Sequence, residues 1–182
     1  MKRFLLYLLA IGLLLNSAIA ATDWWKPKPR TAWQIQLNSG ISTAYKSAMY
    51  DIDLFDTPQP VIDKLHSKGI KVVCYFNTGG YEDWRPDAQI FPLAALGKPL
   101  DGWPGERWLD IRQINLLAPI MQARMDLALA KRCDGVDPDN VDGYANDTGF
   151  PLTAQDQVNY NQWLAQEAHL RNLAIGLKND LD

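Results

Sequence analysis

The chain has 182 residues, with 18 Lys and Arg against 21 Asp and Glu, a formal net charge of -3, 47% hydrophobic residues and 7 tryptophans. A mildly acidic chain with no basic stripe is excluded as a nucleic-acid binder, which needs clustered cations to displace counterions. Its two cysteines, Cys74 and Cys133, are too few for a disulfide-built scaffold and too distant for a zinc knuckle or redox pair. Both border apolar residues and read as buried thiols, with their pairing left open.

Residues 1–20 read as an export signal. Lys2 and Arg3 precede an apolar run from Phe4 to Leu15, shorter than the roughly 20 residues of a membrane span, and Ala18-Ile19-Ala20 supplies small residues before a cut. A secreted or periplasmic protein with no stable membrane span after processing is therefore expected. Processing removes two cations and no acid, leaving about 162 residues and a net charge near -5. Residues 21–30 form a lead-in that Pro27 and Pro29 keep out of helix. Residues 31–182 carry no linker or repeat and read as one domain.

Trp33 to Leu37 alternates apolar and amide side chains and breaks at Asn38-Ser39-Gly40, as a first strand does. Met49 to Phe55 repeats the alternation with Asp51 and Asp53 on one side. Thr57-Pro58 predicts a helix start by cap and first-turn proline, with Val61, Ile62 and Leu65 as its buried stripe and Gly69 as its end. Ile70 to Phe76 is a strand covered on both faces. Asp87 to Trp108, rich in Pro and Gly, predicts a long ordered loop. A helix with Pro119 as an early residue runs to Lys131, and Asp134 to Asp137 forms the fourth strand, stopped by Pro138. Thr153 caps a third helix to about Leu170 with Asp156 closing a capping box, and Leu173 to Leu177 is a fifth strand.

Strands alternating with helices, each strand ending in polar residues, predict a parallel sheet with its working groups at the carboxyl ends. The first turn, Asn-Ser-Gly-Ile-Ser, lacks the glycine spacing of a phosphate-binding open sheet. The expected class is α/β, a (β/α)8 TIM barrel. Such a barrel takes about 250 residues, and about five strands are legible, so the carboxyl-terminal part is expected to be missing and the piece to fold poorly alone.

The run Cys133-Asp134-Gly135-Val136-Asp137-Pro138-Asp139-Asn140-Val141-Asp142-Gly143-Tyr144 holds four acids. It is either a site or a solvated turn. The shared parity of Asp137 and Asp139 on an extended segment favours a site, because a plain turn needs no mutually repelling carboxylates. Asn140 and Asp142 read by default as turn-holding residues. His66 and His169 lie near helix ends without ligand-spaced partners, so no metal is predicted, and no Gly-x-Ser-x-Gly elbow is present.

Six separated motifs then resemble the family 114 glycoside hydrolases, the endo-alpha-1,4-polygalactosaminidases. They are Trp33-Gln34-Ile35-Gln36-Leu37, Tyr50-Asp51-Ile52-Asp53, Val73-Cys74-Tyr75-Phe76 leading to Gly80-Tyr81-Glu82-Asp83-Trp84-Arg85, Trp108-Leu109-Asp110-Ile111, the acidic run, and Gly176-Leu177-Lys178-Asn179. The resemblance implies a (β/α)8 barrel, a monomer when complete, that hydrolyses internal alpha-1,4 bonds in galactosamine or N-acetylgalactosamine polymers without metal or organic cofactor. It departs in having Asp137 where the family has Glu and Arg132 where it has Gly. It also implies a partner glutamate beyond Asp182.

Glycoside cleavage needs one carboxylic acid and one carboxylate. Asp139 is the catalytic candidate, as nucleophile or base. Asp53, Tyr75, Glu82, Asp137, Asn140, Tyr144 and Lys178 are the substrate-binding candidates, with Tyr81 and Trp84 as further aromatic faces. The competing reading is a carbohydrate-binding protein or an inactive barrel lacking its second acid.

Overall fold

The computed structural model describes residues 23–38 and 40–179. The expected export signal lies outside the described residues. Among these, no helix is long and apolar enough to cross a membrane.

Five strands form one parallel sheet in the order β1 (Trp33–Gln36), β2 (Met49–Asp53), β3 (Lys71–Asn77), β7 (Gly135–Asp139), β8 (Ala174–Ile175). Crossovers run through α1 (Gln59–Ser67), α2 (Ile114–Ala130) and α3 (Ala154–Leu170). This succession is that of the first five strands of a (β/α)8-type barrel. Alternation divides each strand between two faces. Tyr50, Ile52, Val72, Cys74, Phe76 and Val136 enter the apolar core with Ile62 and Leu65 of α1, Leu117 and Met121 of α2, and Tyr160 and Leu164 of α3. The opposite parity carries Asp51, Asp53, Tyr75, Asn77, Asp137 and Asp139, in register across β2, β3 and β7.

The capping box at Thr153 forms as the sequence predicts: its side chain accepts from the Asp156 amide, and Asp156 accepts from the Thr153 amide. Five expectations need correction. Thr57 does not cap α1, since Pro58 holds the cap position and Pro60 the second helical one; the Thr57 carbonyl instead accepts from Lys131 Nζ at 2.8 Å. Pro119 lies inside α2, five residues beyond its start. The carbonyl it leaves without an amide donor is that of Asn115, and both residues face solvent.

Pro138 does not stop β7 but pairs opposite Phe76. The Val136 carbonyl, two residues earlier and pointing the same way, accepts from Gly176 N. Position 138 therefore turns its missing N–H toward β8, past the last β7–β8 pair at Val136 and Ile175, where no ladder bond is lost. The segment read as a long loop instead supplies two strands of a three-stranded antiparallel sheet. There β6 (Glu106–Leu109) lies between β4 (Gly80–Glu82) and β5 (Leu96–Pro99), the last irregular in register.

Cys74 and Cys133 are not thiols but a disulfide joining β3 to the residues that lead into β7. Closing a loop with a sequence separation of 59 restricts the unfolded chain, a contribution of about 4 kcal/mol on the chain-entropy account.

Candidate functional site

The carboxyl ends of β2, β3 and β7 deliver polar side chains to one rim. Tyr75 donates its hydroxyl to Asp139 Oδ2 at 2.6 Å. Lys178, just past β8, donates to Asp137 Oδ2 at 2.6 Å and stands 4.9 Å from the centroid of the Tyr75 ring. Burial lowers the affinity of Lys178 for its proton, yet Asp137, Asp139 and Asp51 together hold its pKa above the ordinary value. A half-buried carboxylate with one oxygen fixed by a tyrosine hydroxyl is suited to attack an electrophilic carbon or to take a proton from water.

Behind this rim lies Asp51, whose burial, with repulsion by Asp137 and the hydrogen bond that protonated Asp51 donates to Asp137, pushes its pKa up to about 8. Its Oδ1 lacks a hydrogen-bond partner among the described residues. Asp51, Asp137 and Lys178 border a cavity of about 300 Å³ whose other walls include Trp25, Trp33 and Val73.

The small sheet closes the other side. Gly80 and Glu82 of β4 pair with Trp108 and Glu106 of β6. Asn77, at the end of β3, donates to Glu106 Oε2 at 3.2 Å and accepts from the Gly80 amide at 2.6 Å. Burial, reinforced by Glu82 and Asp139, pushes Glu106 up to about 7. Glu82 is also raised by burial, against the pull of Arg85.

Arg85 donates to Glu82 at 2.9 Å and to both oxygens of Asp53 at 3.1 and 2.7 Å. Asp53 also accepts from the amides of Phe55 and Asp56, both at 2.8 Å. Phe55 lies between two guanidinium groups, 5.0 Å from Arg85 and 5.2 Å from Arg124. Arg124 in turn donates to the Asn77 carbonyl at 2.6 Å and to both oxygens of Asp87.

The sequence candidates thus divide. Tyr75, Asp137, Asp139 and Lys178 come together at the rim. Asp53 and Glu82 are buried nearby, and their hydrogen bonds to Arg85 tie the second strand to the small sheet. Asn140 turns the chain with φ +57°, and its carbonyl carbon and oxygen approach Gly79 so closely that a Cβ there would meet the oxygen at 1.7 Å. Tyr144 is half-buried in the short turn Gly143–Ala145. Of the other acids in the run, Asp134 lies at the far end of β7, held by Lys71 at 2.6 Å and His66 at 2.9 Å. The Asp142 carbonyl accepts from Ala145 N and from the Asn146 side chain. Glu106 and Asn77 escaped the sequence reading, because the first lies in the Pro/Gly-rich segment and the second reads as an ordinary turn residue. Among the described residues no three His, Cys, Asp or Glu side chains are disposed as a metal centre.

Asp51 and Glu106 keep protons in the folded protein that the unfolded chain releases near 3.8 and 4.5. Their contribution to stability is complete below those values and is lost as pH rises through about 7 and 8. Thermal melts are expected to show a Tm higher at pH 5 than at pH 8.5, by roughly 5 °C or more, with Asp51→Asn flattening the dependence. A flat profile for the unaltered protein would remove the buried protons from the site.

The crystal structure of Aspergillus fumigatus Ega3 in complex with galactosamine is similar with a TM-score of 0.83 and 48% sequence identity, over 86% of this chain and 62% of that one. The glycoside hydrolase domain of PelA from Pseudomonas aeruginosa is similar with a TM-score of 0.56 at 11% identity, over 79% of this chain and 57% of that one, which shows the shared fold alone. Its E218A variant gives the same values. No curated protein matches the chain. This chain therefore spans less than two thirds of the length of the Ega3 chain. The sequence profile of one family matches residues 15–182, nearly the whole sequence, and on that match the chain belongs to the glycoside-hydrolase family GH114.

Proposed function

We propose that the protein serves a glycoside hydrolase that cleaves internal alpha-1,4 bonds in polymers of galactosamine or N-acetylgalactosamine, with Asp139 as nucleophile or base. The observation that carries this reading is the Tyr75–Asp139 hydrogen bond of 2.6 Å at the carboxyl end of adjacent parallel strands. It orients one carboxylate toward a rim that also carries Asp137 and Lys178. The likeness to Ega3, whose structure contains galactosamine, supports the choice of sugar.

The carboxylates supply a field that draws ammonium groups, so a polymer with free amines fits this rim better than a neutral one. Tyr75 adds an aromatic face, and sugar C–H surfaces pack on such faces. The Cys74–Cys133 disulfide supports export, because such bonds persist in oxidising compartments.

Incubation with partly deacetylated and fully acetylated polymer, followed by measurement of new reducing ends, tests the reading. Faster release from the deacetylated polymer is expected. Preference for the fully acetylated polymer would remove the charge argument, and release from neither would remove the hydrolase.

A further inference from the structure

The small sheet ends in a tip that the Asp139 site does not use. Trp84 and Trp103 are there 51% and 64% exposed, although large indoles usually bury most of their surface. The tip is held in place: Asp83 N donates to Gly105 O at 3.1 Å, Trp103 N to Leu100 O at 3.3 Å, and Glu106 N to Trp103 O at 3.1 Å. Gly105 has φ +91°, and a Cβ there would meet Asp83 Oδ1 at 2.8 Å and Trp84 Cζ3 at 3.0 Å. The Trp84 ring and the Asp83 carboxylate therefore lie against the turn that carries Trp103.

Each indole has an exposed carboxylate close in sequence, Asp83 beside Trp84 and Asp101 two residues before Trp103. The same ribbon runs inward to Glu82 and Glu106, which pair in register, and Glu106 is bonded to Asn77 at the end of the strand that bears Tyr75. The tip is thus continuous with the rim.

We propose that Trp84 and Trp103, with Asp83 and Asp101, form an outer subsite for amino-sugar units of the polymer that lie away from the bond being cut. This rests on the function proposed above. A pyranose ring offers a C–H face to an indole, and its ammonium group offers a charge to the neighbouring carboxylate. A protein partner fits less well, because the centres of protein interfaces are depleted of Asp.

Isothermal titration of galactosamine and of deacetylated oligosaccharides of increasing length tests the subsite in the unaltered protein and in Trp84→Ala, Trp103→Ala and Trp84→Phe. For the long oligosaccharides each alanine variant is expected to bind about tenfold more weakly, with Phe restoring most of the loss and galactosamine itself bound as before. Equal loss for the monosaccharide, or no loss for any length, overturns the subsite. If the unaltered protein binds long chains no better than the monosaccharide, the subsite falls and the proposed function stands. If it binds no galactosamine sugar at all, both fall. Concentration-dependent self-association that disappears in Trp103→Ala would assign the tip to contacts between copies and overturn the proposal.

Discussion

Replacing Asp139 by Asn is expected to lower the rate of polymer cleavage by about 10³-fold or more while leaving Tm within a degree or two. The variant removes the charge needed to attack the sugar carbon or activate water, and with it stabilisation of a positively charged transition state. It keeps an oxygen that can still accept from the Tyr75 hydroxyl, which now lies 2.6 Å from Oδ2, so the rim retains its shape. Tyr75→Phe separates orientation from charge: kcat falls by about 10- to 100-fold and KM moves little, because the carboxylate remains but its rotamer is less restricted. Turnover by Asp139→Asn at the unaltered rate would remove Asp139 from the reaction. Initial-rate assays on the deacetylated polymer provide both readings.

Arg85→Met is expected to have the largest effect on stability. The Arg85 side chain is 5% exposed and those of Asp53 and Glu82 are 6% and 3% exposed, so losing the cation strands two carboxylates away from water. Breaking such a pair costs about 3–5 kcal/mol, a fall of roughly 10 °C in Tm for a chain of this size. Melting in mild acid should recover part of the loss, since protonated carboxyls no longer need the cation. Arg85→Lys keeps a charge but not the planar fork that reaches both oxygens of Asp53, and an intermediate Tm is expected. A melt of Arg85→Met indistinguishable from that of the unaltered protein would show that water reaches these acids.

The parallel sheet was legible because alternation in Met49–Asp53 and the covered run Lys71–Asn77 leave little choice of face, and because Thr153 and Asp156 announce a helix start on local chemistry alone. The same parity argument placed Asp137 and Asp139 on one side. What local chemistry could not supply was long-range closure. The Cys74–Cys133 bond depends on β3 meeting the entrance to β7, and nothing near either cysteine specifies that neighbour. The small sheet was hidden because β5, Leu-Gly-Lys-Pro, has neither alternation nor β-branched residues and owes its conformation to pairing with β6. Glu106 was lost with it. Pro138 misled for a related reason: a proline is barred from a strand only where its missing N–H faces a partner, and the length of β8 decides that.

The disulfide also changes what a cut in the backbone can accomplish. The small sheet and α2 all lie between Cys74 and Cys133, so they belong to one covalent ring, and the exposed bonds around Asp101 to Pro104 are within it. A protease that nicks the ring there opens a circle without releasing a fragment: the halves stay tethered through sulfur until a reductant arrives.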